Sequence, residues 1–66
     1  MSTFIERLLN EKSELKEKIN KLDDFIEKNP EFDNLSDIQR ILLLNQHNAM
    51  EMYYFALDSR IEFINH

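Results

Sequence analysis

The sequence predicts an all-α protein, a two-helix antiparallel hairpin that assembles into an oligomeric helical bundle. Three observations lead there. Glycine is absent and proline occurs once, at Pro30, so strong punctuation falls at a single place in the 66 residues. Before that place apolar residues recur every seven positions, and after it they recur in steps of three and four, both of them helical periods. The second segment also carries more apolar circumference than one partner helix can cover, so part of it must meet another copy or another protein.

The first helix is expected over residues 3–28. Thr3 can cap it while Glu6, three residues later, reaches back to the capping N–H. Ile5, Lys12, Ile19 and Ile26 then occupy one seam position of a heptad and Leu8, Leu15 and Leu22 the other, the choice of β-branched and leucine side chains that two-stranded packing prefers. Lys12 is its single polar interruption, of a kind that fixes register. Glu14 with Lys18, Glu17 with Lys21, and Asp24 with Lys28 are spaced four apart on an outer face, where such pairs contribute a few tenths of a kcal/mol each, about 0.2–0.5. Phe4, Leu9 and Phe25 flank the seam and widen it. Asn29 and Pro30 stop the helix, because proline disfavours helical geometry in the residue before it.

Residues 29–35 read as a turn, with Phe32 and Leu35 folded back onto the helix ends. A second helix follows over residues 36–65, opened by Ser36 with Gln39 and by Asp37 in the first turn, where a carboxylate suits the positive end of the helix dipole. Leu43, His47, Met50, Tyr54, Leu57, Ile61 and Ile64 form the stripe that should face the first helix. Leu42, Ala49, Tyr53, Ala56 and Phe63 form another beside it, and Ile38, Ile41, Met52 and Phe55 a third. Between Met50 and Leu57 only Glu51 is charged. The expected oligomer interface combines the two seams: Ile5, Leu8, Leu15, Ile19, Leu22, Ile26, Leu43, Met50, Leu57 and Ile61.

Length and composition bound the function. Residues 1–66 make a single domain, of a size at which one hydrophobic core supplies little stability and a disulfide, a metal or association is needed. There is no cysteine, which removes disulfides, thiolate chemistry and the expectation of a structural zinc site. Association is what remains. The same absence, together with a start (Met1, Ser2, Thr3) that lacks the basic and apolar regions of a secretory signal, points to the cytoplasm. The longest apolar run, Ile41 to Leu44, is far short of a membrane span, and Asp58, Arg60 and Glu62 interrupt the apolar stretch of the second helix. Thirteen acidic against eight basic residues leave a net charge of −5, which opposes attraction to a phosphate backbone. Neither DNA nor a membrane is an expected partner.

Catalytic chemistry finds no footing. There is no phosphate-binding glycine loop, and Ser59 lies more than three helical turns from His47, its only candidate base. His47 and Glu51, four apart on one helix, can face a single ion, but two ligands do not make a site; no metal is expected, and His47 reads as structural. His66, the last residue, is expected to fray. No enzyme and no cofactor are predicted. Arg7, Arg40 and Arg60 read first as surface residues. The side chains best suited to a ligand are Arg40, Gln46, Tyr53, Tyr54 and Arg60, long polar or aromatic groups along the most apolar helix. Tyrosine and arginine stack on bases, arginine forks onto phosphate and glutamine reads a base edge. Tyrosines beside methionines at helical spacing also serve as core or rim residues.

The arrangement of Phe4, Ile5, Glu6, Arg7, Leu8, Glu11, Leu15, Ile19, Leu22, Phe25 and Ile26, followed by Gln39, Arg40, Leu43, Gln46, Ala49, Met50, Tyr54, Leu57, Arg60 and Ile61, resembles a family of very short proteins encoded by crAss-like and other bacteriophages. That family is similar to the helical hairpins of phage sponge proteins, which take up the cyclic oligonucleotide or cyclic ADP-ribose signals of the bacterial defences CBASS and Thoeris. The resemblance covers nearly the whole chain, and its motif is mostly heptad-like apolar residues. It implies an anti-defence protein in the host cytoplasm that holds a cyclic nucleotide between subunits without turning it over, Arg40 and Arg60 on phosphates and Tyr53 or Tyr54 on a base. No local motif matches the binding residues of the sponge proteins. Two other readings stand beside it: a small phage inhibitor or adaptor that contacts a host protein through the apolar face of the second helix, and a purely structural coiled-coil piece.

Overall fold

A computed structural model describes residues 3–64 of the chain. All of its elements are helices: α1 (Phe4–Lys28), α2 (Glu31–Asn34) and α3 (Asp37–Ile64). Residue 65, the expected end of the second helix, and His66 lie outside the described residues.

Local chemistry accounts for each boundary. Thr3 is extended, and its hydroxyl accepts the Glu6 N–H at 3.1 Å, satisfying one of the donors that a helix start leaves without an intrahelical partner. Asn29 is extended too, as a residue before proline prefers, and its N–H closes onto the Phe25 carbonyl at 3.2 Å. The segment expected as a turn contains a one-turn helix. Pro30, with φ −63°, already has the torsion that a helix start requires, and the Asn29 side chain accepts the Glu31 N–H at 2.9 Å. The proline that ends α1 therefore also begins α2. Phe32 of α2 meets Phe25 of α1 edge to face, with ring centres 6.2 Å apart, which fastens the connection to the end of α1. At the start of α3 the Ser36 hydroxyl accepts the Gln39 N–H at 3.3 Å, and Asp37 pairs with Arg40.

The two long helices lie side by side and run in opposite directions: Lys12, early in α1, reaches Asp58, late in α3, while Asp23, late in α1, meets His47, early in α3. The molecule is a rod of 46 × 19 × 16 Å. Its core consists of Leu8, Leu15 and Ile19 from the α1 seam and Leu57 from α3, with Met50, Tyr54 and Ile61 packed around them. Leu22, Ile26 and Leu43 are half-buried, whereas Ile5 and Ile64, at the ends of their stripes, are exposed.

The heptad seam is thus closed within one chain. Leu8, Leu15, Ile19 and Leu57 bury one another, so a neighbouring subunit could reach these members of the expected interface only if α1 and α3 separated. The other two stripes of α3 face outward. Ile38, Ile41, Leu42, Tyr53, Met52 and Phe55 are all exposed, the last two at 74% and 71%. Four buried side chains among the described residues make a thin core, and the uncovered stripes are where additional burial is available.

Candidate functional site

The five side chains expected to bind a ligand do not gather in one place. Arg40 and Arg60 are twenty residues apart on one straight helix, which separates them by roughly 30 Å. Arg40, Gln46 and Arg60 instead border separate shallow depressions, in two of which α1 contributes cations, and α1 also sets two ammonium groups over the Tyr54 ring.

At the end where α1 begins and α3 finishes, Arg60 shares a depression of about 270 Å³ with Arg7, Phe4, Leu8 and Glu11. Two guanidinium groups and an aromatic ring there border one concavity, with a single carboxylate beside them. Tyr54, half-buried in mid-molecule, lies under two ammonium groups: Lys12 Nζ is 5.5 Å and Lys16 Nζ 5.2 Å from its ring centre, within the range of cation–π attraction. Lys12 also donates to Asp58 Oδ1 at 2.6 Å. That hydrogen bond, above all, holds the Lys12 ammonium above its ordinary pKa, against the opposing effect of desolvation. The polar interruption of the heptad is therefore matched from α3, and its stem covers the seam while its charge reaches the rim. Gln46 borders a depression of about 370 Å³ with Lys18, Lys21, Leu22, Phe25 and Met50. Arg40 lies in another, of about 390 Å³, with Phe32, Asp37, Ile41 and Leu44, and its guanidinium is held by Asp37. Tyr53 is exposed on the outward face of α3.

A further cluster bridges the helices. His47 Nε2 is 2.5 Å from Asp23 Oδ1 and 3.4 Å from Glu51 Oε1. The pairing of His47 with Glu51 follows from their spacing on one helix, whereas the third member, Asp23, comes from α1 and was not foreseen.

The cations of α1 are what sequence reasoning passed over. Lys18 and Lys21 were assigned to pairs with Glu14 and Glu17 on an outer face, and Arg7 to the surface. One signal was available: in an antiparallel pair with Lys12 on the seam, the next turn of α1 places Lys16 beside the same partner residue.

Among the described residues no helix is long and apolar enough to cross a membrane. Comparison with curated proteins and with solved structures gives no match. The family model described as Sequestin, however, matches residues 2–63, nearly the entire chain; by that match this all-helical protein, with its cation-lined depressions and uncovered apolar stripes, belongs to the Sequestin family.

Proposed function

We propose that the chain is a helical hairpin that self-associates through the outward stripes of α3 and sequesters a cyclic nucleotide signal in pockets between subunits, without catalysis. The observation that carries this reading is the Sequestin match over residues 2–63, a family whose name denotes the sequestering of a ligand. In this reading the protein is phage-encoded, acts in the host cytoplasm and takes up a cyclic oligonucleotide or cyclic ADP-ribose defence signal. Three of the shallow depressions suit the role, because each pairs one or two basic groups with an aromatic ring and stays open until a second subunit covers it. With a net charge of −5, an anionic ligand requires such local gathering of cations.

Within this proposal Arg7 and Arg60 hold phosphates, Tyr54 and its two lysines supply a stacking surface, and Gln46 with Lys18 and Lys21 forms a further contact. Arg40 contributes only after leaving Asp37. Native mass spectrometry of the purified protein, alone and with cyclic di- and trinucleotides and cyclic ADP-ribose isomers, tests the reading. A discrete oligomer that gains ligand in whole numbers per interface is expected. A charge-assisted contact contributes about 1.5–3 kcal/mol, so Arg60→Ala should weaken binding roughly ten- to hundredfold, and Arg40→Ala less. A monomer, or an oligomer that gains no ligand, refutes it.

The alternative of an inhibitor or adaptor acting by protein–protein contact rests on one feature. Met52 and Phe55, the most exposed large apolar side chains of α3, border a depression of about 470 Å³ with Asn48 and Glu51, the kind of surface that receives an apolar anchor from another protein. Retention of a host protein by the wild type but not by Phe55→Glu, with no nucleotide bound, would favour it.

A further inference from the structure

We infer that Asp23, His47 and Glu51 form a binding site for a divalent transition-metal ion of the zinc type, which ties α1 to α3. The three side chains present ligand atoms that all lie within 4.8 Å of one another. His47 is the central member. Its side chain is only 14% exposed, and its Nε2 is screened from solvent and makes no aligned hydrogen bond, although two carboxylate oxygens converge on it.

Charge and geometry both point to a cation. A neutral imidazole offers one lone pair or one proton, so it can answer one carboxylate at most, and two negative charges directed at the same nitrogen repel each other. A divalent ion between the three groups accepts the nitrogen lone pair and neutralises both carboxylates. In a tetrahedral site with metal–ligand bonds of about 2.0–2.2 Å, ligand atoms stand about 3.3 Å apart. The His47 to Glu51 separation of 3.4 Å already has this value. The His47 to Asp23 separation of 2.5 Å must open by a little under about 1 Å, a movement available to Asp23 because its side chain is 41% exposed. An imidazole with two carboxylates selects zinc and its first-row neighbours over magnesium or calcium, which favour oxygen alone. Water completes the coordination on the exposed side.

The site is independent of the nucleotide pockets, since none of its residues borders those depressions. Because its ligands come from both long helices, an ion bound to the folded pair and not to separated helices stabilises the fold. The test uses the purified full-length protein freed of metal by chelation and then titrated with zinc chloride, with the thermal midpoint and calorimetric stoichiometry measured together. Cobalt chloride serves as a spectroscopic substitute. One zinc per chain, a rise in the midpoint, and visible cobalt absorption of tetrahedral type are expected. Glu51→Gln, at an exposed position where folding is not at risk, should weaken zinc binding more than about tenfold, the scale on which even supporting residues of metal sites act. Asp23→Asn should do the same, while His66→Gln should change nothing. No zinc-dependent shift in the wild type, a shift kept by both carboxylate variants, or one zinc per two chains, which would place the ion between copies, overturns the inference.

Discussion

Leu57→Ala is the substitution that most directly tests the core between α1 and α3. Leu57 has no exposed surface and is the only α3 side chain buried to the degree of Leu8, Leu15 and Ile19. Truncating a buried leucine to alanine costs about 2–5 kcal/mol, through lost burial and the cavity left behind. Met50, Tyr54 and Ile61 are only partly buried around the site and can lean into the gap, so a value of about 3 kcal/mol is expected. For a domain of this size each kcal/mol moves the melting midpoint by roughly 4–8 °C, which predicts a fall of roughly 12–24 °C. Thermal melts followed by far-ultraviolet circular dichroism, at one fixed protomer concentration because association shifts the midpoint, measure it directly. Glu27→Ala, on the exposed side of α1, is the reference and should remain within about 0.5 kcal/mol of wild type. A Leu57→Ala midpoint only a few degrees below that of wild type would mean that Leu57 is not a core residue, and that α1 and α3 do not pack in this register.

Other consequences follow from the same geometry. Lys12→Ile places an apolar side chain on the seam and leaves Asp58, which is half-exposed, free to be hydrated; the thermal midpoint should rise, and a fall would show that the ion pair outweighs apolar burial at this position. Because Lys12 is raised above its ordinary value of 10.5 when folded, its contribution is complete below that pH and disappears as the pH climbs through the higher folded value; denaturant melts of the wild type should weaken in that alkaline window more than those of Lys12→Ile. Ser36→Ala removes the acceptor for the Gln39 N–H and should cost about 1 kcal/mol, or roughly 4–8 °C, with the assembly mass unchanged. Met52→Glu together with Phe55→Glu alters only exposed side chains; if the outward stripes of α3 carry association, sedimentation should show a smaller species that keeps its helical content, and an unchanged mass would move the interface elsewhere.

Much of the architecture was legible in the residues. The caps at Thr3 and Ser36, the stop at Asn29 and the two seams are local properties, set by contacts three, four or seven positions apart, and the structure places all of them close to where periodicity and capping chemistry put them. The region from Asn29 to Leu35 is harder to read, because the proline that ends one helix has the torsion that also begins another. The ligand candidates all lie along a single helix, and within one chain Arg40 and Arg60 stand near its opposite ends.

What the sequence alone determined was therefore the two long helices, their limits and which stripe of each is apolar. Only the tertiary structure decided that the heptad seam closes inside the chain, that Arg7 stands beside Arg60, that Lys12 and Lys16 cover Tyr54, and that Asp23 completes the group around His47. The reason is axial register. Local rules fix each helix separately, but the offset between two antiparallel helices is set by the α2 connection and the core it allows to interdigitate. A slip of one helical turn, about 5.4 Å, would keep both apolar stripes facing each other and exchange every one of these cross-helix neighbours.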